Sequence, residues 1–214
     1  AGNCFSVEPC MAPSQPVLWV IAGANGVGKT RYARAHIEAV TGGKRFVNLD
    51  EIARGLAPFD PASEQRRAAR VTLAMLDDFI TGKARNGTSI ITLETTLSGR
   101  TYLNLFDRAK EAGIKIHLLY FAVAREETSI ARVARRVLEG GHFVEETDIR
   151  RRFERSLTNF APYSAKADLW RVFDNNGFHP AIVAEGSGAE CHYLAANLNG
   201  LPPALKDWLK NLHG

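Results

Sequence analysis

Apolar residues along this chain fall into two kinds of pattern. Short unbroken apolar runs alternate with longer stretches in which apolar positions recur every three or four residues. The first kind reads as buried strand and the second as amphipathic helix, and their alternation predicts a parallel sheet covered on both faces. Strands are predicted at Val17–Ala22, Arg45–Leu49, Ser89–Leu93, Ile114–Ala122 and Trp170–Phe173. Helices are predicted from the end of a loop at 23–28 to about Val40, over Ala62–Thr81 with Ala69, Leu73, Leu76 and Ile80 on one face, and over Thr101–Ala112. Residues 125–158 read as two arginine-rich helices separated by Gly140-Gly141. Two short strands near Ala181–Ala184 and His192–Leu194 and a helix after Pro202-Pro203 complete the pattern.

Composition narrows this little. The chain has 214 residues, 45% hydrophobic and 23% charged, which is ordinary for one substantial globular domain. A net charge of +4 suits phosphate-bearing ligands and is too mild to argue nucleic-acid binding alone. Cys4, Cys10 and Cys191 have no metal-ligand spacing and are read as free thiols in a reducing, cytoplasmic compartment. No run is long enough to span a membrane. Residues 1–16 hold three prolines and no apolar signal-peptide core, and are read as a flexible leader or a vector remnant, with Met11 a candidate internal start.

One segment carries specific chemistry. Gly23-Ala24-Asn25-Gly26-Val27-Gly28-Lys29-Thr30 fills every fixed position of G-x-x-x-x-G-K-[ST], between an apolar strand and a helix. A chance match in a chain this long is on the order of one in a hundred at average glycine usage. Glycines let backbone N–H groups converge on a phosphate, and the helix N-terminus adds its free donors and positive dipole end. Lys29 is expected to reach the β- and γ-phosphates, and Thr30 to offer its hydroxyl to Mg²⁺. The bound nucleotide is expected to be ATP.

The neighbouring residues exclude some classes. There is no NKxD-type guanine reader. Leu97-Ser98-Gly99 hints at an ABC ATPase, but Arg100 follows where a second glycine is wanted, and Ile114–Ala122 ends without an Asp-Glu pair. Asp50 and Glu94 close two predicted strands, where α/β sheets bind ligands. Asp50 is either a general base for an attacking hydroxyl or an N-cap for a helix at Glu51. Glu94 either organises Mg²⁺ through water or is a solvated strand-end charge. Among the arginines, Arg132 and Arg136 share one flank of the first basic helix, and Arg152 borders the apolar stripe of the second. Guanidinium groups so placed suit a transferring phosphoryl group, with Gly140-Gly141 as the hinge of a lid at about 125–158.

The order of these features resembles the zeta-toxin family of P-loop kinases, most of all its compact chromosomal branch. The resemblance rests on Gly23–Thr30, Phe46–Ala53, Glu94-Thr95-Thr96-Leu97-Ser98-Gly99, Arg132–His142, Ile149–Phe160 and Phe173-Asp174-Asn175, and covers roughly residues 17–185. It implies a three-layer P-loop NTPase sandwich with a mostly parallel sheet of about five strands in the order 2-3-1-4-5, residues 17–214 forming one domain. It further implies an ATP- and Mg²⁺-dependent kinase acting on the 3′-hydroxyl of UDP-N-acetylglucosamine. Asp50 would be general base, Glu94 and Thr96 would bind the acceptor with Glu94 near the metal, and Asp174 and Asn175 would lie at the adenine side. His142 would touch phosphate or end its helix. A protein antitoxin that blocks the ATP site would be the expected partner. Two departures, Phe143 and Glu145 in a lid turn that usually reads G-G-H-x-V-P, put the acceptor in question. A nucleoside, a polynucleotide end or an antibiotic hydroxyl are alternative acceptors, and a nucleotide-dependent binding protein with little turnover is the alternative class.

Overall fold

In the computed structural model, residues 15–41, 45–83, 89–141 and 143–213 are described. Residues 1–14, with Cys4, Cys10 and Met11, and His142 lie outside the described residues. The elements run β1 (Val17–Ala22), α1 (Lys29–Thr41), β2 (Phe46–Asn48), α2 (Leu49–Leu56), α3 (Gln65–Ile80), β3 (Ile90–Thr95) and α4 (Thr101–Glu111). They continue as β4 (Lys115–Ala122), α5 (Glu126–Leu138), α6 (Glu146–Ser164), β5 (Leu169–Asp174), β6 (Ala181–Ser187), β7 (Glu190–Leu194) and α7 (Pro203–His213).

The sheet order is β2-β3-β1-β4-β5-β6-β7. Its first five strands are parallel in the predicted order, and the antiparallel β6–β7 hairpin extends the sheet from about five strands to seven. β1 sits at the centre, with Val20 opposite Leu93 on one side and Leu118 on the other. Its alternate residues serve two cores, as the two-residue repeat of a strand requires. Leu18, Val20 and Ala22 face a core closed by α3, α4, α7 and the C-terminal half of α6, while Ile21 faces a second core with Phe121, Phe173 and Ala33 of α1. Because both faces are covered, ligands are left the carboxyl edge of the strands. No helix among the described residues is long and apolar enough to cross a membrane.

Several boundaries differ from expectation for local reasons. β2 is only three residues long, because Asn48 Oδ1 accepts the N–H groups of Asp50 (2.9 Å) and Glu51 (3.2 Å) and so starts α2 at Leu49. Asp50 therefore lies in the first helical turn, and the cap is Asn48, not Asp50. The buried face of α3 is Ala68, Thr72, Leu76, Phe79 and Ile80, rotated from the predicted stripe because Thr72 is fully buried despite its hydroxyl. α6 runs past residue 158 to Ser164, through Pro162, with Phe160 and Tyr163 fixed in the main core.

Candidate active site

The sheet order brings the segments after β1, β2, β3 and β5 to the edge of one cavity of about 760 Å³. Its floor is the phosphate loop. Gly26 and Gly28 adopt φ of +76° and +97°, a region open to glycine and costly for other residues. There is no room for a side chain either, since a Cβ on Gly26 would lie 2.4 Å from the Ser129 carbonyl oxygen, and one on Gly28 2.3 Å from Asn175 Nδ2. Asn25, Gly26, Gly28, Lys29 and Thr30 line the cavity. Gly23, Ala24 and Val27 are absent from its wall; Ala24 and Val27 are buried and pack in the second core.

Lys29 opens α1, so its ammonium stands beside the free N–H groups of a helix N-terminus. Nζ donates to the Ala24 carbonyl at 2.7 Å and is almost wholly buried. Burial lowers its pKa, opposed by the charges of Glu94 and Asp50 and aided by those of Arg136 and Arg152. One ammonium, two carboxylates and two guanidinium groups are thus electrostatically coupled across one site. Glu94 lies within β3, and its Oε1 accepts from Thr30 Oγ1 at 2.7 Å. Its Oε2 is buried and has no hydrogen-bond partner among the described residues. A buried carboxylate oxygen with no donor, beside a hydroxyl, fits a hard divalent cation or one of its waters. Thr30 and Glu94 are therefore the residues suited to hold Mg²⁺.

Asp50 lines the same cavity, and its Oδ1 faces Gln65 Nε2 at 3.5 Å. Thr96 also lines it, with Oγ1 at 2.9 Å from Ser98 Oγ. The turn carrying these hydroxyls is pinned from α6, where Asn159 Nδ2 donates to the Leu97 carbonyl (2.9 Å) and Tyr163 OH to that of Gly99 (2.9 Å). Burial pushes the Tyr163 phenol up to about 12, so it stays a donor at neutral pH.

The arginines are not equivalent. Arg136 and Arg152 line the cavity, and Arg152 Nη1 lies 3.4 Å from Asn25 Oδ1 of the phosphate loop. Arg132 also lines it, yet its guanidinium donates to the carbonyls of Asn175 (2.9 Å) and Asn176 (3.2 Å). Asn175 in turn gives its amide to the Val27 carbonyl at 2.6 Å. Arg132 and Asn175, both on the cavity wall, thus brace the loop. Asp174 is absent from the cavity wall, and its Oδ1 accepts the Asn176 backbone N–H at 2.9 Å and closes the turn after β5. Sequence reasoning missed Asn48 and Gln65, which flank Asp50. An Asn directly before an acidic first turn is a helix-start signal that would have found the first; nothing in the sequence marks the second.

The AAA domain family profile matches residues 18–162, more than half of the chain. This chain belongs to the AAA domain family. The chain is 31% identical over 143 residues to an uncharacterized protein of Haemophilus influenzae, covering 64% of this chain and 96% of that one. Among solved structures it resembles a chain of the AvrRxo1-ORF1:AvrRxo1-ORF2 complex with sulphate ions, at a TM-score of 0.66 and 22% identity, covering 94% and 72% of the two chains. The same complex with ATP gives 0.62 and 23%, covering 84% and 60%. A chain of the PezAT chromosomal toxin-antitoxin system of Streptococcus pneumoniae gives 0.60 and 15%, covering 97% and 82%. At these identities the likeness is one of fold, that of an α/β P-loop sandwich.

Proposed function

We propose that this chain is an ATP-dependent kinase of the zeta-toxin type, transferring the γ-phosphate to a hydroxyl of a small acceptor, a sugar nucleotide such as UDP-N-acetylglucosamine at its 3′-hydroxyl. The observation that carries the reading is that Lys29, Asp50 and Glu94 line one cavity over the phosphate loop. A nucleotide-binding scaffold needs the first of these and has no use for Asp50. In this mechanism Lys29 leaves the Ala24 carbonyl for the β- and γ-phosphate oxygens, and Asp50 takes the proton of the attacking hydroxyl. The new oxygen–phosphorus bond forms as the bond to the β-bridging oxygen breaks, and that oxygen keeps the electron pair on ADP. Arg136 and Arg152 balance the charge spread over the transferring group. Mg²⁺, when bound, would neutralise charge on the phosphates, and Thr30 and Glu94 are the residues that would hold it.

One observation favours a different acceptor. The residues contributed to the cavity from the β2–β3 side include Leu49, Asp50, Gln65, Thr96, Ser98 and Tyr102, with no lysine or arginine among those described there. Hydroxyls, an amide, an aromatic ring and a carboxylate suit an uncharged or aminated polyol, such as an antibiotic hydroxyl, and give nothing to balance a diphosphate. Incubating the protein with ATP–Mg²⁺ and UDP-N-acetylglucosamine, nucleosides, RNA ends and aminoglycosides, then looking for the mass gain of one phosphoryl group, tests both. A product from the sugar nucleotide supports the first reading and one from an aminoglycoside the second. A product only from nucleosides or RNA ends contradicts both. The toxin-antitoxin neighbour supports a protein partner, and competition between a co-purified partner and ATP tests whether it covers the nucleotide site.

A further inference from the structure

Among the described residues, Leu97 is the one non-glycine whose backbone is left-handed, at φ +58°. That conformation brings Cβ close to the following carbonyl oxygen, and it persists only where the surroundings over-determine it. Three contacts do so here. The Leu97 side chain is 1% exposed and fixed in the main core. Its N–H donates to Thr95 Oγ1 at 3.1 Å, and its carbonyl accepts from Asn159 Nδ2 at 2.9 Å.

The kink has a consequence for its neighbours. In an extended chain, residues two apart share a face but their Cα atoms stand roughly 7 Å from each other. The left-handed residue between Thr96 and Ser98 folds the chain, and their hydroxyl oxygens come to 2.9 Å on the cavity wall. Asn159 itself is buried on α6 and is absent from that wall, so it reaches the cavity only through the turn. Its amide has a fixed sense, since Oδ1 faces Arg100 Nε at 3.4 Å and leaves Nδ2 for Leu97. None of these groups touches the phosphate loop, whose contact from α6 is Arg152, about two turns earlier.

On the reading that this cavity holds the acceptor of a phosphoryl group, we infer that Asn159 is a positioning residue for that acceptor: its amide keeps Leu97 left-handed, so that the Thr96 and Ser98 hydroxyls meet the acceptor as a preformed pair, while nucleotide binding is independent of it.

Initial rates of phosphoryl transfer by the whole protein, with the acceptor found by the mass screen, and calorimetry with ATP–Mg²⁺ test this. Asn159→Asp keeps the side-chain shape and the acceptor for Arg100, and removes the donor to Leu97. It is expected to raise KM for the acceptor roughly 5- to 50-fold, with kcat and ATP affinity each within about threefold of wild type. Asn159→Ala removes the same donor without adding charge and should give the same split. In a Thr96→Ala, Ser98→Ala background, either substitution should change acceptor KM by less than about twofold, because the pair it positions is gone. Acceptor KM unaltered by both substitutions would overturn the inference. So would an equal loss of ATP affinity, or an undiminished effect in the background without the two hydroxyls; each would make Asn159 a structural pin alone. Wild-type protein that phosphorylates no acceptor would overturn the kinase reading itself, and this inference with it.

Discussion

Arg132 sits at a position where two roles lead to opposite kinetics. As a charge stabiliser it would touch the transferring phosphoryl group. As placed here, its guanidinium instead spans the carbonyls of Asn175 and Asn176 at 2.9 and 3.2 Å, and Asn175 holds Val27 of the phosphate loop at 2.6 Å. Hydrogen bonds from a charged donor contribute roughly 1.5–3 kcal/mol each when buried, and Arg132 is half-exposed, so the pair is assigned about 2 kcal/mol in all. Arg132→Ala should therefore raise KM for ATP by up to about 30-fold and change kcat by less than about threefold. The melting temperature should fall by roughly 4–8 °C, the expectation for such a loss in a chain of this size. Initial rates against ATP concentration, with the acceptor found by the mass screen, give both constants, and calorimetry gives ATP affinity directly. A fall of about 10³ in kcat with ATP affinity unchanged would refute the bracing role and return Arg132 to the transition state.

Two further predictions follow from the site and its frame. Glu94→Gln keeps an acceptor for the Thr30 hydroxyl but removes the charge of the buried, unpartnered Oε2. The Mg²⁺ concentration needed for ATP to raise the melting temperature should increase on the order of 10- to 100-fold, and an unchanged requirement would remove Glu94 from the metal site. Asp168 joins the start of β4 to the start of β5, with Oδ2 accepting the Ile116 N–H (2.9 Å) and Oδ1 meeting Lys115 Nζ (2.9 Å). Burial pushes its pKa up, but the Ile116 N–H and Lys115 together outweigh this and hold it below the usual carboxylate value. A depressed folded pKa gives stability that is complete above the unfolded value near about 4 and is lost as pH falls through the lower folded value. Asp168→Ala should cost about 1–2 kcal/mol in urea unfolding at pH 7, with the gap to wild type closing at strongly acid pH; a gap independent of pH would contradict this.

Much of the fold was legible because its signals are local and strong. Val17–Ala22 is an unbroken apolar run, and its observed bounds match those read from the sequence. The phosphate loop was equally plain, since Gly26 and Gly28 leave no space for any other residue. What was not legible depended on competition or distance. Asn48 and Asp50 are both good caps, and only the structure settles that Asn48 takes the helix start and leaves Asp50 facing the cavity. Thr72 counts as polar in any periodicity, yet it is fully buried and turns the face of α3. Arg132 looked like the leading phosphate ligand because its partners lie 43 and 44 residues away in a turn that carries no motif for them.

Asp50 carries the proposed chemistry. It faces the cavity beside Gln65 and contributes to the field at Lys29. Asp50→Asn keeps its shape and removes its basicity. In this variant ATP affinity by calorimetry should stay within about threefold of wild type, and single-turnover phosphoryl transfer to the acceptor should slow by about 10²–10⁴. Transfer at the wild-type rate would contradict the proposed chemistry.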